Sequence, residues 1–460
     1  MSVKVKKHYT ENIVMEDLGI KLPDRFYFGT ASAAYQIEGA TTQDGRGPSI
    51  WDTYVKVPGA IENGDTGDTA CDHYNRYRED VAIMEKLGLN AYRFSISWSR
   101  VLPKGRGKVN QKGLEFYSNL VDTLIEANIT PFVTLNHFDL PQALQEKGGG
   151  WLRRDVYHDF VEYSDLVTHE LGDRVKHWST FNEPWELAWQ GYHTGEDAPG
   201  LRLGVKDALI VSHNVYLSHG EAVPVIRDNV PDAEVGIVIH LNHVESATSK
   251  SEDIAAARRW EGCQNRWYLD PIYLGEYPQD MLKVYGHLVP NVQSDDMETI
   301  QQPLDYLGLN MYRRSVVRDG GDLPPVNIQR VNPPGEYSDM GWEVYSKGLY
   351  DILTWTYSNY RMEKIYVTEN GVAYNDPVTP DGRCHDTKRV YYLREHINQT
   401  LKARDDGVPV HGYFAWSTMD NFEWAYGYNM RFGVIHVDYQ TQKRTIKDSG
   451  YLLQQIVETP

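Results

Sequence analysis

Short apolar segments alternate along this chain with longer segments in which apolar residues recur every three or four positions. The short segments are rich in β-branched and aromatic residues and predict strands, whereas the longer ones predict amphipathic helices. The first strand is predicted at residues 26–31 and the second at residues 91–98. Between them, a helix that ends before Gly88 is predicted from the spacing of five apolar residues: Tyr74, Tyr77, Val81, Met84 and Leu87.

The same alternation continues to the end of the chain. Further strands are predicted at residues 130–137, 176–182, 235–241, 305–311, 364–369 and 410–416. Helices are predicted around residues 114–125, at 155–171, 206–220, 252–268 and 346–361, around 390–401, and from about 445. Eight strand–helix units imply parallel strands joined by right-handed crossovers, so the predicted fold class is α/β, a single (β/α)8 TIM barrel with long insertions after the strands.

No linker rich in glycine, serine or proline interrupts the series, which predicts one barrel domain over residues 23–460. Residues 1–22 are charged and are predicted to be an N-terminal extension; they lack the apolar segment of a signal peptide. No apolar run of 18 residues predicts a transmembrane helix. The three cysteines are widely spaced, so we expect buried thiols and no disulfide framework, as in a cytoplasmic protein.

The chain is acidic, with a formal net charge of −18 and a pI near 5.3. A phosphate backbone or an anionic bilayer would repel such a protein, so neither nucleic acid nor membrane is expected as a partner. No cofactor or metal is expected: His240 and His243 have the spacing of metal ligands, but no third ligand is evident. Whether the chain forms a homo-oligomer is left open.

Polar and aromatic residues stand at the carboxyl ends of the predicted strands, where active sites of such barrels lie. Two of them are glutamates, Glu183 after the fourth strand and Glu369 at the end of the seventh. Glycoside cleavage needs two such carboxyl groups, one protonated and one ionised. The other strand-end candidates suit a polyhydroxylated substrate: Gln36, Glu38, Arg93, His137, Asn182, Asn242, Asn310, Tyr312, Trp416, Glu423 and Trp424.

Five motifs over residues 24–455 resemble those of family 1 glycoside hydrolases, the β-glucosidase family. Two surround the paired glutamates, Thr180-Phe181-Asn182-Glu183-Pro184 and Val367-Thr368-Glu369-Asn370-Gly371. The other three are the segments at residues 28–39, Tyr92-Arg93-Phe94-Ser95-Ile96-Ser97-Trp98, and Asp420-Asn421-Phe422-Glu423-Trp424. Each motif is specific, and the five occur in the family's order.

The resemblance implies a retaining mechanism, with Glu369 as nucleophile and Glu183 as acid/base. It further implies that Arg93 and Tyr312 hold the nucleophile, and Asn310 is assigned to the same catalytic set. The residues expected to bind the substrate are Gln36, His137, Asn182, Glu423 and Trp424, with Trp416 as the stacking platform and Trp342 as a wall of the aglycone entrance.

The expected substrates are small β-glucosides such as cellobiose and aryl glucosides, with β-galactosides and β-fucosides as further substrates. Glu423-Trp424 favours an unphosphorylated sugar, because relatives that take 6-phosphosugars replace this pair. Two alternatives are a transglycosylating β-glycosidase and a non-enzymatic sugar-binding barrel. Departures from the family pattern concern the leaving-group side: Phe138, Asp197, His240 and Ser346. The acidic run at residues 295–298 is expected to be a solvated loop.

Overall fold

The computed structural model describes residues 19–321 and 323–459. Residues 1–18 of the predicted N-terminal extension therefore lie outside the described residues, and its proposed boundary at residue 22 stays a prediction. None of the described helices is both long and apolar enough to cross a membrane.

Within these residues, eight parallel strands close into a barrel, in the spatial order β1-β8-β7-β6-β5-β4-β3-β2. The strands are β1 (Tyr27–Ser32), β2 (Ala91–Ser95), β3 (Thr130–Asn136), β4 (His177–Asn182), β5 (Glu234–His240), β6 (Tyr306–Asn310), β7 (Ile365–Asn370) and β8 (Val410–Trp416). A helix of at least eleven residues follows each strand: α1 (His73–Lys86), α2 (Gln111–Glu126), α3 (Val156–Leu171), α4 (Val205–Asn229), α5 (Ser251–Glu261), α6 (Lys347–Tyr360), α7 (Thr387–Asp405) and α8 (Asp448–Glu458). The predicted (β/α)8 barrel is confirmed.

Shorter elements occupy the loops. Short α-helices span Ala34–Ile37, Ile50–Tyr54, Trp98–Val101, Gln142–Glu146, Pro184–Ala188, Trp267–Tyr273, Gln279–Tyr285 and Asp296–Ile300. Two π-helical turns span Trp189–Thr194 and Gly262–Arg266, and 3-10 turns span Glu62–Gly64, Gly150–Leu152, Gly286–Leu288 and Trp424–Tyr426. Strands at Val244–Ser246, Ser315–Asp319 and Ile328–Arg330 form a small sheet, and Ile435–Val437 pairs with Arg444–Ile446.

Three boundaries differ from the sequence prediction. Strand β2 ends at Ser95, and Trp98 begins a short helix. The ring of Trp98 stacks on the ring of Tyr163 in α3, with 4.8 Å between the ring centroids. A buried residue at position 98 fits the periodicity of a strand and also that of a helix, so the sequence pattern did not distinguish the two. Helix α4 continues past residue 220 to Asn229 despite Pro224, and the predicted helix 252–268 is interrupted by the π-helical turn at Gly262–Arg266.

The prediction of a solvated loop at residues 295–298 is wrong at its centre. Asp296 begins a helical turn and is only 1% exposed. Its carboxylate accepts hydrogen bonds from Arg154 and lies 2.9 Å from His213 Nε2. Sequence alone did not identify these partners, which lie more than 80 residues away along the chain.

Aromatic rings fill the amino-terminal end of the barrel. The ring of Phe132 stacks on His177 at 4.0 Å and meets the edge of Phe414 at 4.9 Å. Tyr306 and Tyr366 pack beside them, 5.1 Å apart. This packing closes the barrel floor, so a substrate enters only at the carboxyl ends of the strands.

Candidate active site

Two buried glutamates stand at the carboxyl end of the barrel. Glu369 lies within β7 and is 3% exposed, and Glu183 directly follows β4 and is 7% exposed. Glu183 caps the helix Pro184–Ala188 with a positive φ of 45°, a conformation uncommon outside glycine. Strained backbone of this kind often occurs at functional sites, and here it sets the direction of the Glu183 side chain.

Two donors hold the Glu369 carboxylate. Arg93 Nη1 donates to Oε1 at 2.5 Å, and the hydroxyl of Tyr312 donates to Oε2 at 2.5 Å. A buried guanidinium and a phenol both stabilise the negative charge of a carboxylate. Tyr392 and Asn370 support this arrangement, because Asn370 Nδ2 donates to the carbonyl of Met311 at 2.6 Å and Tyr392 donates to the carbonyl of Tyr312.

An amide network connects the two glutamates. Asn310 Nδ2 donates to Glu183 Oε1 at 2.6 Å, and Thr368 fixes the Asn310 amide by donating to its oxygen at 2.7 Å. Asn182 Oδ1 accepts from Arg93 at 2.7 Å and from Asn310 at 3.2 Å. The network therefore links the carboxyl groups of Glu183 and Glu369 through shared hydrogen-bond partners.

The protonation of Glu183 differs from that of a solvated glutamate. Its pKa is raised well above the usual value, first by burial and then by the negative charges of Glu186 and Glu369. The hydrogen bond from Asn310 opposes this rise. The raised pKa favours the protonated form of Glu183, which is the form that a general acid requires.

The predicted sugar-binding residues meet at the barrel mouth. Asn182 Nδ2 donates to His137 Nε2 at 3.0 Å. Burial and the charge of Arg93 lower the pKa of His137 well below its usual value, so its imidazole is neutral. Because Nε2 accepts a hydrogen bond, the proton of the neutral ring lies on Nδ1. Gln36 Nε2 donates to the carbonyl of Phe422 at 2.8 Å and lies 3.3 Å from Glu423 Oε2. His137 Nδ1 and Gln36 Oε1 are buried and have no protein partner, so both can bind a substrate hydroxyl.

Aromatic side chains surround these polar groups. The ring of His137 stacks at 5.9 Å on Trp416 and at 6.0 Å on Trp424. Trp342 lies 5.4 Å from the ring of Tyr312, toward the opening of the cavity. Burial raises the pKa of Glu423 to about 8, with the charge of Glu369 as the next cause.

A cavity of about 1500 Å³ opens above the two glutamates. Of the predicted site residues, eight line it: His137, Glu183, Tyr312, Trp342, Glu369, Trp416, Glu423 and Trp424. Four others lie behind this surface and contact the lining residues: Gln36, Arg93, Asn182 and Asn310. Glu38 and Asn242 do not line the cavity, because Glu38 pairs with Arg100 at 2.8 Å and Asn242 hydrogen-bonds to Asn265.

Comparison with known proteins matches this site and fold to one family. The family model of glycosyl hydrolase family 1 matches residues 19–460. The chain is 48% identical to β-glucosidase A of Thermotoga maritima over 95% of this chain and 98% of that protein, and 45% identical to β-glucosidase A of Acetivibrio thermocellus with the same coverage of each chain. The structure of the Thermotoga maritima family 1 β-glucosidase in complex with isofagomine lactam superimposes with a TM-score of 0.93 at 48% identity, covering 95% of this chain and 99% of that one.

The chain belongs to glycosyl hydrolase family 1. This membership confirms the family predicted from the five motifs and the prediction that the protein is a glycosidase. The alternative of a non-enzymatic sugar-binding barrel is therefore dropped.

Sequence reasoning missed a second acid beside Glu183. Glu186, on the helix Pro184–Ala188, is 8% exposed, and burial raises its pKa to about 8. His240 Nδ1 lies 2.5 Å from Glu186 Oε1. The signal in the sequence was the spacing of three between Glu183 and Glu186, which brings the N-cap residue and a residue of the first helical turn to the same end of the helix Pro184–Ala188.

Among the described residues, Glu183, Glu186 and His240 have potential metal-ligand atoms within 4.8 Å of one another. Their arrangement is explained by the hydrogen bond between Glu186 and His240 and by the role proposed below for Glu183. His243 is not part of this group; its Nε2 lies 3.1 Å from Glu245.

Proposed function

We propose that this family 1 glycosyl hydrolase is a retaining β-glucosidase that releases one terminal glucose from small β-glucosides, such as cellobiose and aryl glucosides. The observation that carries the proposal is the different environment of the two glutamates. Glu369 accepts hydrogen bonds from a cation and a phenol, whereas Glu183 is buried beside two further acids that raise its pKa. A retaining glycosidase needs this division between an ionised nucleophile and a protonated acid.

In the first step, a carboxylate oxygen of Glu369 attacks the anomeric carbon. The bond from that carbon to the leaving oxygen breaks, and the proton of Glu183 passes to this oxygen. The product is a glycosyl ester on Glu369. Attack in line with the leaving group inverts the configuration once.

In the second step, the ionised Glu183 accepts a proton from water. The water oxygen attacks the anomeric carbon from the face that the leaving group vacated, and the bond to Glu369 breaks. The second inversion restores the β configuration. Glu183 ends the cycle protonated, as it began.

The remaining residues are proposed to hold the sugar. His137, Asn182, Gln36 and Glu423 offer hydrogen-bonding groups at the closed end of the cavity, and Trp416 offers an apolar ring face to the sugar C–H groups. The closed barrel floor favours release of one terminal sugar over cleavage within a chain. Relatives named β-glucosidase support glucose as the sugar; β-galactosides and β-fucosides remain expected further substrates.

Replacement of Glu369 tests the proposal. Glu369→Ala should lower kcat/KM for 4-nitrophenyl β-glucoside by ~10⁴-fold or more, because the nucleophile is removed. Glu363→Ala, an exposed glutamate just before β7, is the matched control and should leave activity unchanged. Retention of activity within about tenfold of the wild-type value in Glu369→Ala would exclude the nucleophile role. NMR of the first-formed glucose should show the β anomer, and an α anomer would exclude a retaining mechanism.

A further inference from the structure

Three arginines line the active-site cavity, Arg202, Arg313 and Arg330, and among the described residues none of them has an acidic partner within ion-pair distance; Arg202 is exposed, and the other two each contact a tryptophan ring. Arg313 and Arg330 both face this cavity. Neither side chain forms a hydrogen bond or an ion pair with any residue that the structure describes; each guanidinium instead lies over a tryptophan ring, Arg313 at 5.3 Å from Trp342 and Arg330 at 4.9 Å from Trp260. The chain has 64 acidic and 46 basic residues, so unpaired cations in a cavity are notable.

Two other arginines in this part of the molecule do use their guanidinium donors in hydrogen bonds within the protein. Arg314, next in the chain, forms hydrogen bonds with both Glu343 and Glu245 at 2.8–3.1 Å. Arg93, inside the site, is fully engaged by Glu369, Asn182 and Thr134. Arg313 and Arg330 therefore keep guanidinium donors that the protein itself does not use.

Arg313 is half-buried and Arg330 is an exposed residue, so the cost of a free cation falls mainly on Arg313. Desolvation, followed by the charge of Arg330, lowers the pKa of Arg313 to about 10, and desolvation also lowers the pKa of Arg330. An anion placed between them would offset this cost. A guanidinium binds a carboxylate or phosphate through two parallel hydrogen bonds, which suits such an anion.

The position of the arginines identifies the part of the substrate that they face. Both cations act on Glu186 and His240, whose pKa values they lower, and these two residues adjoin the acid/base Glu183. Glu183 protonates the oxygen that carries the leaving group in the proposed reaction. Arg313 also lies over Trp342, the predicted wall of the aglycone entrance.

Acidic residues of the cavity do not neutralise the arginines directly. Glu186 is held by His240 at 2.5 Å, and Glu369 by Arg93. Glu196 is exposed and raises the pKa of Arg330 through its charge, but no ion pair within 4.0 Å joins them. The carboxylate of Glu196 therefore competes with a bound anion for Arg330, and removal of its charge should strengthen anion binding.

We propose that Arg313 and Arg330 form an anion-binding subsite for the leaving group, which makes this enzyme selective for β-glucosides of acidic aglycones. The inference rests on the proposed β-glucosidase function and adds the chemical class of its aglycone. The anion is a carboxylate on an aromatic aglycone, since tryptophan rings flank both guanidiniums and offer an apolar surface to an aromatic ring.

The test compares two matched substrates, the β-glucosides of 4-hydroxyphenylacetate and of 4-hydroxyphenylacetamide. A methylene group separates the charge from the phenol, so the two leaving groups have nearly the same acidity. The wild-type enzyme should show a kcat/KM about tenfold or more higher for the carboxylate, the value of a hydrogen-bonded charge. A wild-type ratio at or below one would overturn the inference.

Substitutions of Arg313 and Arg330 test whether these residues cause the preference for the carboxylate substrate. In Arg313→Gln and Arg330→Gln the ratio of the two kcat/KM values should fall toward one, whereas Arg313→Lys should keep part of the preference and Glu196→Gln should raise it. Arg318→Gln, an exposed arginine of the same small sheet that does not line the cavity, is the control and should leave the ratio unchanged. An unchanged ratio in both Arg→Gln variants would overturn the inference.

The two substrates also separate this inference from the proposed function. Release of glucose from the amide by wild-type enzyme supports the β-glucosidase assignment whatever the ratio. If the enzyme cleaves neither compound and no neutral aryl β-glucoside, the proposed function fails and the inference fails with it.

Discussion

At the scale of the residue, environment gives different roles to chemically identical side chains. Glu369 contacts a guanidinium and a phenol, which stabilise its charge. Glu183 contacts one amide and lies near two acids, which favour its protonated form. Glu423, which lies beside Gln36, has a pKa raised to about 8 by burial. The different roles proposed for Glu369 and Glu183 follow from these neighbours.

Removal of the acid/base should affect substrates unequally. Glu183→Ala should lower kcat/KM by ~10²–10⁴-fold for alkyl β-glucosides, whose leaving oxygen needs a proton, and far less for 2,4-dinitrophenyl β-glucoside. Steady-state kinetics over a series of leaving groups measures the difference. Equal losses across the series would contradict the role of Glu183 as acid.

Glu186 should control the alkaline limb of the pH profile. Its charge is the second cause, after burial, of the raised pKa of Glu183. Glu186→Gln removes that charge, so the pKa of Glu183 should fall and activity should be lost at a lower pH as the acid ionises. The measurement is kcat/KM against pH for a substrate with a poor leaving group.

The control for this shift is Glu196→Gln, which changes an acid of the same cavity that is not among the causes of the Glu183 shift. Its alkaline limb should match that of the wild-type enzyme. A Glu186→Gln profile with an unmoved alkaline limb would show that Glu186 does not tune the acid.

At the scale of the element, the end of β7 shows how backbone geometry supports the site. Gly371 follows Asn370 at the end of β7, and Asn-Gly pairs are typical of turns. In the structure Gly371 does not have a positive φ; its role is to allow close packing, since a Cβ there would lie 1.8 Å from the carbonyl oxygen of Trp416. The glycine lets the end of β7 approach the end of β8, which brings Glu369 and Trp416 into one cavity.

Gly371→Ala should therefore lower both stability and activity. The added methyl group must displace the backbone at Trp416, which should reduce the free energy of unfolding by about 1–3 kcal/mol, as overpacking does. Activity should fall as well, because Trp416 and Glu369, the proposed sugar platform and the proposed nucleophile, move apart. Calorimetry and kcat/KM on an aryl β-glucoside measure the two effects.

Gly335→Ala provides the comparison, because a Cβ there meets nothing closer than 3.6 Å. It should leave both quantities near their wild-type values. Wild-type stability in Gly371→Ala would show that the strand ends can separate without cost.

At the scale of the whole molecule, the barrel buries several acids at its open end. Burial raises the pKa of Glu186 and Glu423 to about 8 and of Asp139 and Asp197 to about 7. A carboxyl group whose pKa is higher in the folded than in the unfolded state stabilises the fold below its unfolded pKa. That contribution is lost as pH rises through the folded pKa, so these acids weaken the fold between about pH 5 and 8.

Replacement of one buried acid should recover part of the unfolding free energy that is lost as pH rises. Glu423→Gln should reduce the fall in unfolding free energy between pH 5 and 8 by about 1 kcal/mol or more, since the amide never ionises. The same variant should impair sugar binding. Tm measured across this pH range at a constant scan rate checks the effect, with the exposed Glu363→Gln as the control. A pH dependence identical to the wild-type one would contradict the linkage.

The sequence by itself determined the barrel, its strand order along the chain, and the two glutamates at strand ends. These follow from local pattern, because periodicity reports which residues are buried and a parallel barrel brings the ends of all its strands to one side. The sequence also predicted eight of the residues that line the cavity and four that contact them from behind.

Tertiary structure alone decided which polar residues line the cavity and which contact the lining residues from behind. Glu38 occupied a strand end as Glu183 did, yet pairs with Arg100 away from the cavity, and Asp296 proved buried where a solvated loop was expected. The contact of Glu186 with His240, and the lack of an ion pair at Arg313 and Arg330 among the described residues, depend on residues far apart in the chain. Charge, burial and hydrogen bonding are properties of such distant neighbours, and a local pattern does not contain them.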